Sequence, residues 1–184
     1  QEDRLRRGAY LRHRPVYNQF GFTKGNLESD RDESESSWTV GINPILFPYH
    51  LAFGPGGMGI RQSYQIGVPI DDYTTWHFQY FCYTFPEGVD VPQQETVPYV
   101  EVPLAGRDGR TVLDNVLSGD MVSWYGQGEF TDRTQEHLGV SDVNVIAYRK
   151  LLQEQIAIVQ DGGEPMNVFR DPDTIESPEL VLVP

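Results

Sequence analysis

The stretch Ile60-Arg-Gln-Ser-Tyr-Gln-Ile-Gly-Val-Pro-Ile-Asp-Asp-Tyr-Thr-Thr-Trp-His-Phe-Gln-Tyr80 decides the fold class. Its first half alternates. Ile60, Tyr64, Ile66, Val68 and Ile70 share one parity, while Arg61, Ser63 and Gln65 take the other. A period of two belongs to a half-buried strand, because successive side chains leave opposite faces of the pleat. The second half alternates as well, with Trp76, Phe78 and Tyr80 set against Thr75, His77 and Gln79. Asp71-Asp72 lies between them, and Asp favours turns by bonding its own backbone. Two alternating runs around a short acidic link predict an antiparallel hairpin.

Upstream, Trp38 to Phe53 is apolar but carries Pro44 and Pro48. Two prolines exclude a helix and predict short or edge strands. Gly54-Pro-Gly-Gly57 is a turn by composition. The segment Glu28 to Ser37 is acidic, Ser-rich and almost without apolar side chains, so it predicts an exposed loop at 28–37. A strand is expected around Arg14 to Phe22. Downstream, Pro86 to Gly109 reads as a long irregular connection, and Leu113 to Tyr125 as a helix weakened by Gly119. The clearest helix runs from Ser141 to Asp161. Ser141 is suited to the N-cap, and Asp142 puts negative charge in the first turn. Val145, Tyr148, Leu152, Ile156 and Val159 make an apolar stripe, and Gly162-Gly163 ends the helix. The Pro-containing tail, 173–184, reads as extended. Strands first and helices last predict an α+β fold with an antiparallel sheet.

The chain has 184 residues and 12% aromatics, enough to build a core. Its net charge of -13 argues against a nucleic-acid partner. The basic cluster Arg4, Arg6, Arg7, Arg12 and Arg14 reads as a solvated or partner-facing arm. Cys82 stands alone, so an internal disulfide is excluded, and its aromatic neighbours suggest a buried, inert thiol. No apolar run reaches the length needed to span a bilayer, and the chain opens on polar, charged residues rather than a signal peptide. A cytoplasmic protein without a membrane partner is expected. Because the first residue is Gln and not Met, a fragment or processed chain is also expected.

The histidines are His13, His50, His77 and His137, and no two are spaced to share one side of a helix. Metal, nucleotide and hydrolase signatures are lacking. Gly54-Pro-Gly-Gly-Met-Gly59 links strands instead of opening a helix, which makes phosphate binding a poor reading. His77, on the polar face of a strand, either touches a substrate or faces solvent. His50, beside Phe47, either lines a cavity or packs. Trp76 and Phe78 are pocket walls or plain core. Asp120 stands among apolar and small residues, Leu117-Ser-Gly-Asp-Met-Val-Ser-Trp-Tyr125. A buried acid needs a cation, several donors or a metal. Asp132, Arg133 and Glu136 read as a local ion-pair and hydrogen-bond network.

At this point the sequence meets a known pattern. Gly119-Asp-Met-Val-Ser-Trp-Tyr-Gly-Gln-Gly128, followed by Asp132-Arg-Thr-Gln-Glu-His-Leu-Gly-Val-Ser-Asp142, resembles the C-terminal region of Rieske oxygenase α subunits. The nearest branch holds the phthalate and phenoxybenzoate dioxygenases and the aromatic O-demethylases. Val68-Pro-Ile-Asp-Asp72, Thr75-Trp-His77 and Asn167-Val-Phe-Arg-Asp-Pro172 fit the same branch in the same order, so the likeness covers residues 38 to 172. The Asp-Arg-Thr-Gln-Glu-His-Leu-Gly block is the most specific.

The resemblance implies a helix-grip (START-like) fold, an antiparallel sheet around a long C-terminal helix. It implies mononuclear Fe(II) held by two histidines and one carboxylate, with positions open for dioxygen. The carboxylate matches Asp120. It also implies a small aromatic substrate, and hydroxylation or O-demethylation with O2. The electrons would come from a ferredoxin-type or flavin–iron-sulfur reductase through a Rieske [2Fe–2S] cluster. A homotrimer is implied for the full-length protein. The paired histidines and the Cys-x-His and Cys-x-x-His cluster ligands are not in this sequence. The chain is therefore expected to be the C-terminal part of the catalytic domain, inactive alone. The alternative is a non-catalytic helix-grip module that binds a small hydrophobic ligand.

Overall fold

The computed structural model describes residues 10–28, 32, 34, 38–54, 60–83, 85–91, 93–113 and 116–171. They divide into two compact units, Gln1–Pro86 with Leu138–Pro184, and Glu87–His137. The first unit holds a six-stranded antiparallel sheet. Its strands are β1 (Tyr10–Asn18), β2 (Gly21–Glu28), β3 (Trp38–Leu46), β4 (His50–Phe53), β5 (Ile60–Pro69) and β6 (Thr75–Tyr83), neighbours in chain order. The hairpin expected at Ile60–Tyr80 is present as β5–β6, with Ile66 opposite Phe78 and Val68 opposite Trp76. Its turn forms as the acidic link predicts. The Asp71 carboxylate accepts from the Tyr73 and Thr74 amides at 2.8 and 2.7 Å.

The long C-terminal helix, called α2 because a helix at Val116–Tyr125 (α1) precedes it, spans Val143–Gln160. It lies on the sheet. Phe22, Phe47, Ala147 and Leu151 form the buried cluster, with Ile45, Tyr148, Leu152 and Met166 around it. Removing a Phe or Leu side chain from water stabilises by about 1.5–3 kcal/mol, so this cluster is the main bond between helix and sheet. Polar ties add direction. The Tyr148 hydroxyl donates to the Pro48 carbonyl at 3.0 Å. Asn167 donates to the carbonyls of Phe20 and Phe47 at 3.0 and 2.5 Å, stitching two sheet turns to the segment after the helix. An α+β fold with an antiparallel sheet and a packed C-terminal helix agrees with the helix-grip expectation.

Several local expectations need correction. The strand expected at Arg14–Phe22 is two strands, because the chain turns at Gln19–Phe20. Gly21 permits this: its φ is +147° and a Cβ there would meet the Ile45 carbonyl oxygen. Of the short or edge strands expected for Trp38–Phe53, β4 is short, at four residues, but neither β3 nor β4 is an edge. Between Phe22↔Ile45 and Lys24↔Ile42 β3 carries one extra residue, a bulge around Asn43 (φ 65°) and Pro44. A bulge accommodates proline because its extra residue is left out of the ladder. Pro48 sits in the β3–β4 turn, after a cis peptide bond.

The N-cap of α2 is Asp142, not Ser141, and Val140–Asp142 forms a 3-10 turn before it. The Asp142 carboxylate accepts from the Gly139 amide at 2.8 Å. The buried stripe is also rotated from the expected one: Ala147 and Leu151 are buried, while Val145, Ile156 and Val159 are exposed. Apolar residues occur nearly all round this helix, so periodicity alone did not choose the face. Cys82 is half-buried instead of buried. Residues 55–59 of the turn that starts at Gly54, most of the 28–37 loop, the arm residues Arg4, Arg6 and Arg7, and the 173–184 tail lie outside the described residues.

Candidate functional site

Asp120 lies on α1, in the second unit. The helix starts later than the expected Leu113, at Val116. Asp120 is half-buried, one turn before the exposed Trp124. Ser118 is buried, and the Ser123 hydroxyl donates to the Gly119 carbonyl at 2.9 Å. Gln127 is in the turn that follows, its side chain donating to the Ser123 carbonyl at 3.3 Å. Among the described residues no three His, Cys, Asp or Glu come together to hold a metal.

In the first unit, register decides which candidates share a face, since directly opposed residues in antiparallel strands point the same way. Leu46, His50, Ile66 and Phe78 form one cross-strand row. Trp76 shares that face, and its ring lies 5.3 Å from that of Phe78. The adjacent row, Phe22, Ile45, Leu51, Gln65 and Gln79, points to the other face. That second face is the one α2 covers, through Phe22 and Ile45. His77, two residues from Gln79, belongs to it. The five candidates thus separate. His50, Trp76 and Phe78 sit on the face away from α2, His77 on the helix side, and Phe47 inside the core with its ring 5.9 Å from that of Tyr148.

The helix-side face holds a polar group that the sequence reading missed. Tyr17, Pro15 and His13 of β1 oppose Phe22, Lys24 and Asn26 of β2, all with one parity. The His13 imidazole bonds the Asn26 amide oxygen at 2.7 Å. Lys24 is half-buried, and burial lowers its amine below the ordinary lysine range. The signal was in the alternation of His13, Pro15 and Tyr17 with Phe22, Lys24 and Asn26, but it becomes legible only once the turn is placed at Gln19–Phe20.

The Asp132–Asp142 block is a set of local ties, as its composition suggests. The Asp132 carboxylate accepts from the Thr134 amide and hydroxyl at 2.9 and 2.7 Å, and these bonds hold its pKa below the usual carboxylate value. Arg133 pairs with Glu136 at 3.1 Å. The second unit otherwise carries little regular structure. One bridge, Ala105 to Thr111, closes a small loop within the irregular stretch. No described helix is long and apolar enough to cross a membrane.

No family model matches the chain. Curated relatives do. Over 153 residues, 83% of the chain is 30% identical to the 5,5'-dehydrodivanillate O-demethylase oxygenase subunit of Sphingobium sp. (strain NBRC 103272 / SYK-6). Over 58 residues, 31% of the chain is 41% identical to the phenoxybenzoate dioxygenase subunit alpha of Ectopseudomonas oleovorans. The chain spans 34% of the first relative's length and 14% of the second's. With the antiparallel sheet and its packed C-terminal helix, these matches show that the chain belongs to the Rieske-type aromatic oxygenase family.

Proposed function

We propose that the chain is a part of an oxygenase catalytic domain that oxidises an aromatic acid with dioxygen and electrons from a reductase. The similarity to an O-demethylase oxygenase subunit along most of the chain carries this reading. Both relatives are named for aromatic carboxylates, and the substrate class is taken from them. Hydroxylation and O-demethylation are both compatible with it.

In this reading Asp120 contributes one anionic oxygen to a mononuclear Fe(II) site, and the two histidine ligands belong to parts of the subunit beyond this chain. Iron would supply dioxygen binding and activation. A [2Fe–2S] Rieske cluster, also carried outside this chain, would deliver the electrons. A half-buried carboxylate on a helix suits a ligand role because the helix fixes its direction and partial burial strengthens its attraction to a cation. The pocket lies on the face of the sheet that α2 covers, as a helix-grip arrangement requires, and His77 is its polar contact on β6. His50, Trp76 and Phe78 belong to the opposite face. A cytoplasmic homotrimer is the expected working form.

The test is Asp120→Ala in the full-length protein. The variant should lose most of its bound iron and its substrate-dependent oxygen consumption. Wild-type iron content in a folded Asp120→Ala protein would remove the ligand assignment. The isolated chain should retain little Fe(II) after desalting.

A further inference from the structure

We propose that Gln127 is a positioning residue for the Asp120 carboxylate: its side-chain amide closes the C-terminal end of α1 and so fixes the helix from which Asp120 projects. The proposal rests on the reading of Asp120 as an iron ligand for its consequence, and on the structure of α1 for its residues.

By its own composition α1 is a weak helix. It has ten residues, Val116–Tyr125, with Gly119 in its interior. Helices of fewer than about 12–15 residues are marginal in water, and an interior glycine costs further backbone entropy. Its first turn carries no acid and its last turn no base, so side-chain charge does not support the helix dipole. Gly119 immediately precedes Asp120. The direction of the carboxylate therefore depends on what holds the helix.

Gln127 holds the C-terminal end twice. The last four carbonyls of a helix lack partners within it and need donors from beyond its end. In α1 all four find one. The Gly126 amide donates to the Val122 carbonyl at 2.8 Å, and the Gly128 amide to that of Tyr125 at 3.1 Å. The Gln127 backbone amide turns to the Trp124 carbonyl at 3.2 Å, three residues back instead of four. That tightening takes the usual donor from the Ser123 carbonyl. The Gln127 side chain fills the place, donating from Nε2 at 3.3 Å. The Thr131 hydroxyl donates to Gln127 Oε1 at 3.3 Å, which sets the amide with its nitrogen toward Ser123. Ser123 reaches back in turn. Its hydroxyl donates at 2.9 Å to the Gly119 carbonyl, part of the peptide that enters Asp120. Side-chain bonds at four-residue intervals, through Gly119, Ser123, Gln127 and Thr131, thus run from the Asp120 peptide to the loop beyond the helix. Gly126 and Gly128 flank Gln127, the second at φ +85°, so neither neighbour has a side chain to take over the cap.

The experiment uses the full-length oxygenase freed of its mononuclear iron. It reads anaerobic Fe(II) affinity and the visible spectrum of the Co(II)-substituted protein. Gln127→Met removes the donor at nearly constant length. It should weaken Fe(II) binding about 3- to 10-fold, the weight of one ordinary hydrogen bond, and shift the Co(II) bands. Gln127→Glu, an isostere that cannot donate when ionised, should weaken binding as well, although its negative charge alone would favour a cation. Gln127→Lys restores a donor suited to a helix C-terminus and should recover affinity and spectrum, although its positive charge alone would oppose a cation. Cap and charge thus predict opposite signs, and a general loss of stability predicts no rescue by Lys. Lys150→Met, at the exposed Lys150–Glu154 pair, is the control and should leave both readings unchanged. A folded Gln127→Met variant with wild-type affinity and spectrum would overturn the proposal. So would tighter binding by Gln127→Glu together with weaker binding by Gln127→Lys. Should Gln127→Met not fold, the signs of the Glu and Lys variants decide. If Asp120→Ala keeps its iron, the ligand reading itself has failed. If Asp120→Ala loses iron and the Gln127 variants do not, only the positioning role has failed.

Discussion

At the scale of single residues, Lys24 places a function-like cost inside a stable face. Its folded pKa lies below the ordinary lysine value because burial disfavours the charged form. Between the folded and the unfolded pKa the unfolded chain binds more protons, so this group makes stability rise as pH increases through that window. At neutral pH the charged amine is a net burden. Lys24→Met keeps the aliphatic stem and removes the charge. It should raise the melting temperature at pH 7, and the gain should shrink as pH rises toward the unfolded lysine pKa. Thermal unfolding of both proteins at a series of pH values checks this. An unchanged or lowered melting temperature at pH 7 would mean that the amine is satisfied in the fold. The opposite sign applies to Asp71 and Asp132. Their carboxylates accept backbone and side-chain bonds that lower their pKa values, and the turns they hold lose that support as pH falls through the folded values.

At the scale of elements, the hold of α2 on the sheet depends on a few contacts. Asn167 supplies two of them, from a backbone with φ 66° that Asn tolerates better than most residues. Asn167→Ala would remove both bonds, leaving the Phe20 carbonyl only the Phe47 amide at 2.8 Å, and adds strain at positive φ. About 1–3 kcal/mol of destabilisation is expected, and Asn167→Gly should recover the strain but not the bonds. Chemical denaturation of the three proteins measures both parts. The existence of these elements was legible in the sequence because period-two and period-3.6 patterns report burial on one side. The β5–β6 hairpin and α2 were legible for that reason. The β1–β2 turn was not, because Tyr17-Asn-Gln-Phe-Gly21 lacks the two-residue hairpin signature and keeps an aromatic in the turn. The face of α2 was not legible either, since Ala147 and Leu151 are chosen by Phe22 and Phe47, residues far away in sequence. Asp120 is singled out as a ligand candidate only through its resemblance to a family motif. Composition left its role open, and among the described residues no metal-binding cluster forms around it.

At the scale of the whole molecule, the uncovered apolar surface sets the behaviour of the chain by itself. Trp76, Phe78 and Tyr80 are 57%, 44% and 43% exposed on one face of β6, and Phe81 and Tyr83 are 43% and 58% exposed on the other. β6 is also an edge in the sheet order among the described residues. Contiguous exposed aromatics beside an open strand edge favour association. The net charge of -13 opposes it, because like-charged copies repel. Salt weakens the repulsion within a Debye length of about 10 Å at 0.1 M and leaves apolar contact nearly intact. The isolated chain should therefore associate more as salt rises from about 0.01 M to 1 M, the reverse of an assembly held by ion pairs. Replacing Trp76 and Phe78 by Lys, on the exposed face, should return it to monomer across that range without unfolding it. Sedimentation velocity at the two salt concentrations, with circular dichroism as the check on folding, separates the outcomes. Association that weakens with salt, or that persists in the folded double variant, would place the contact elsewhere than on this face.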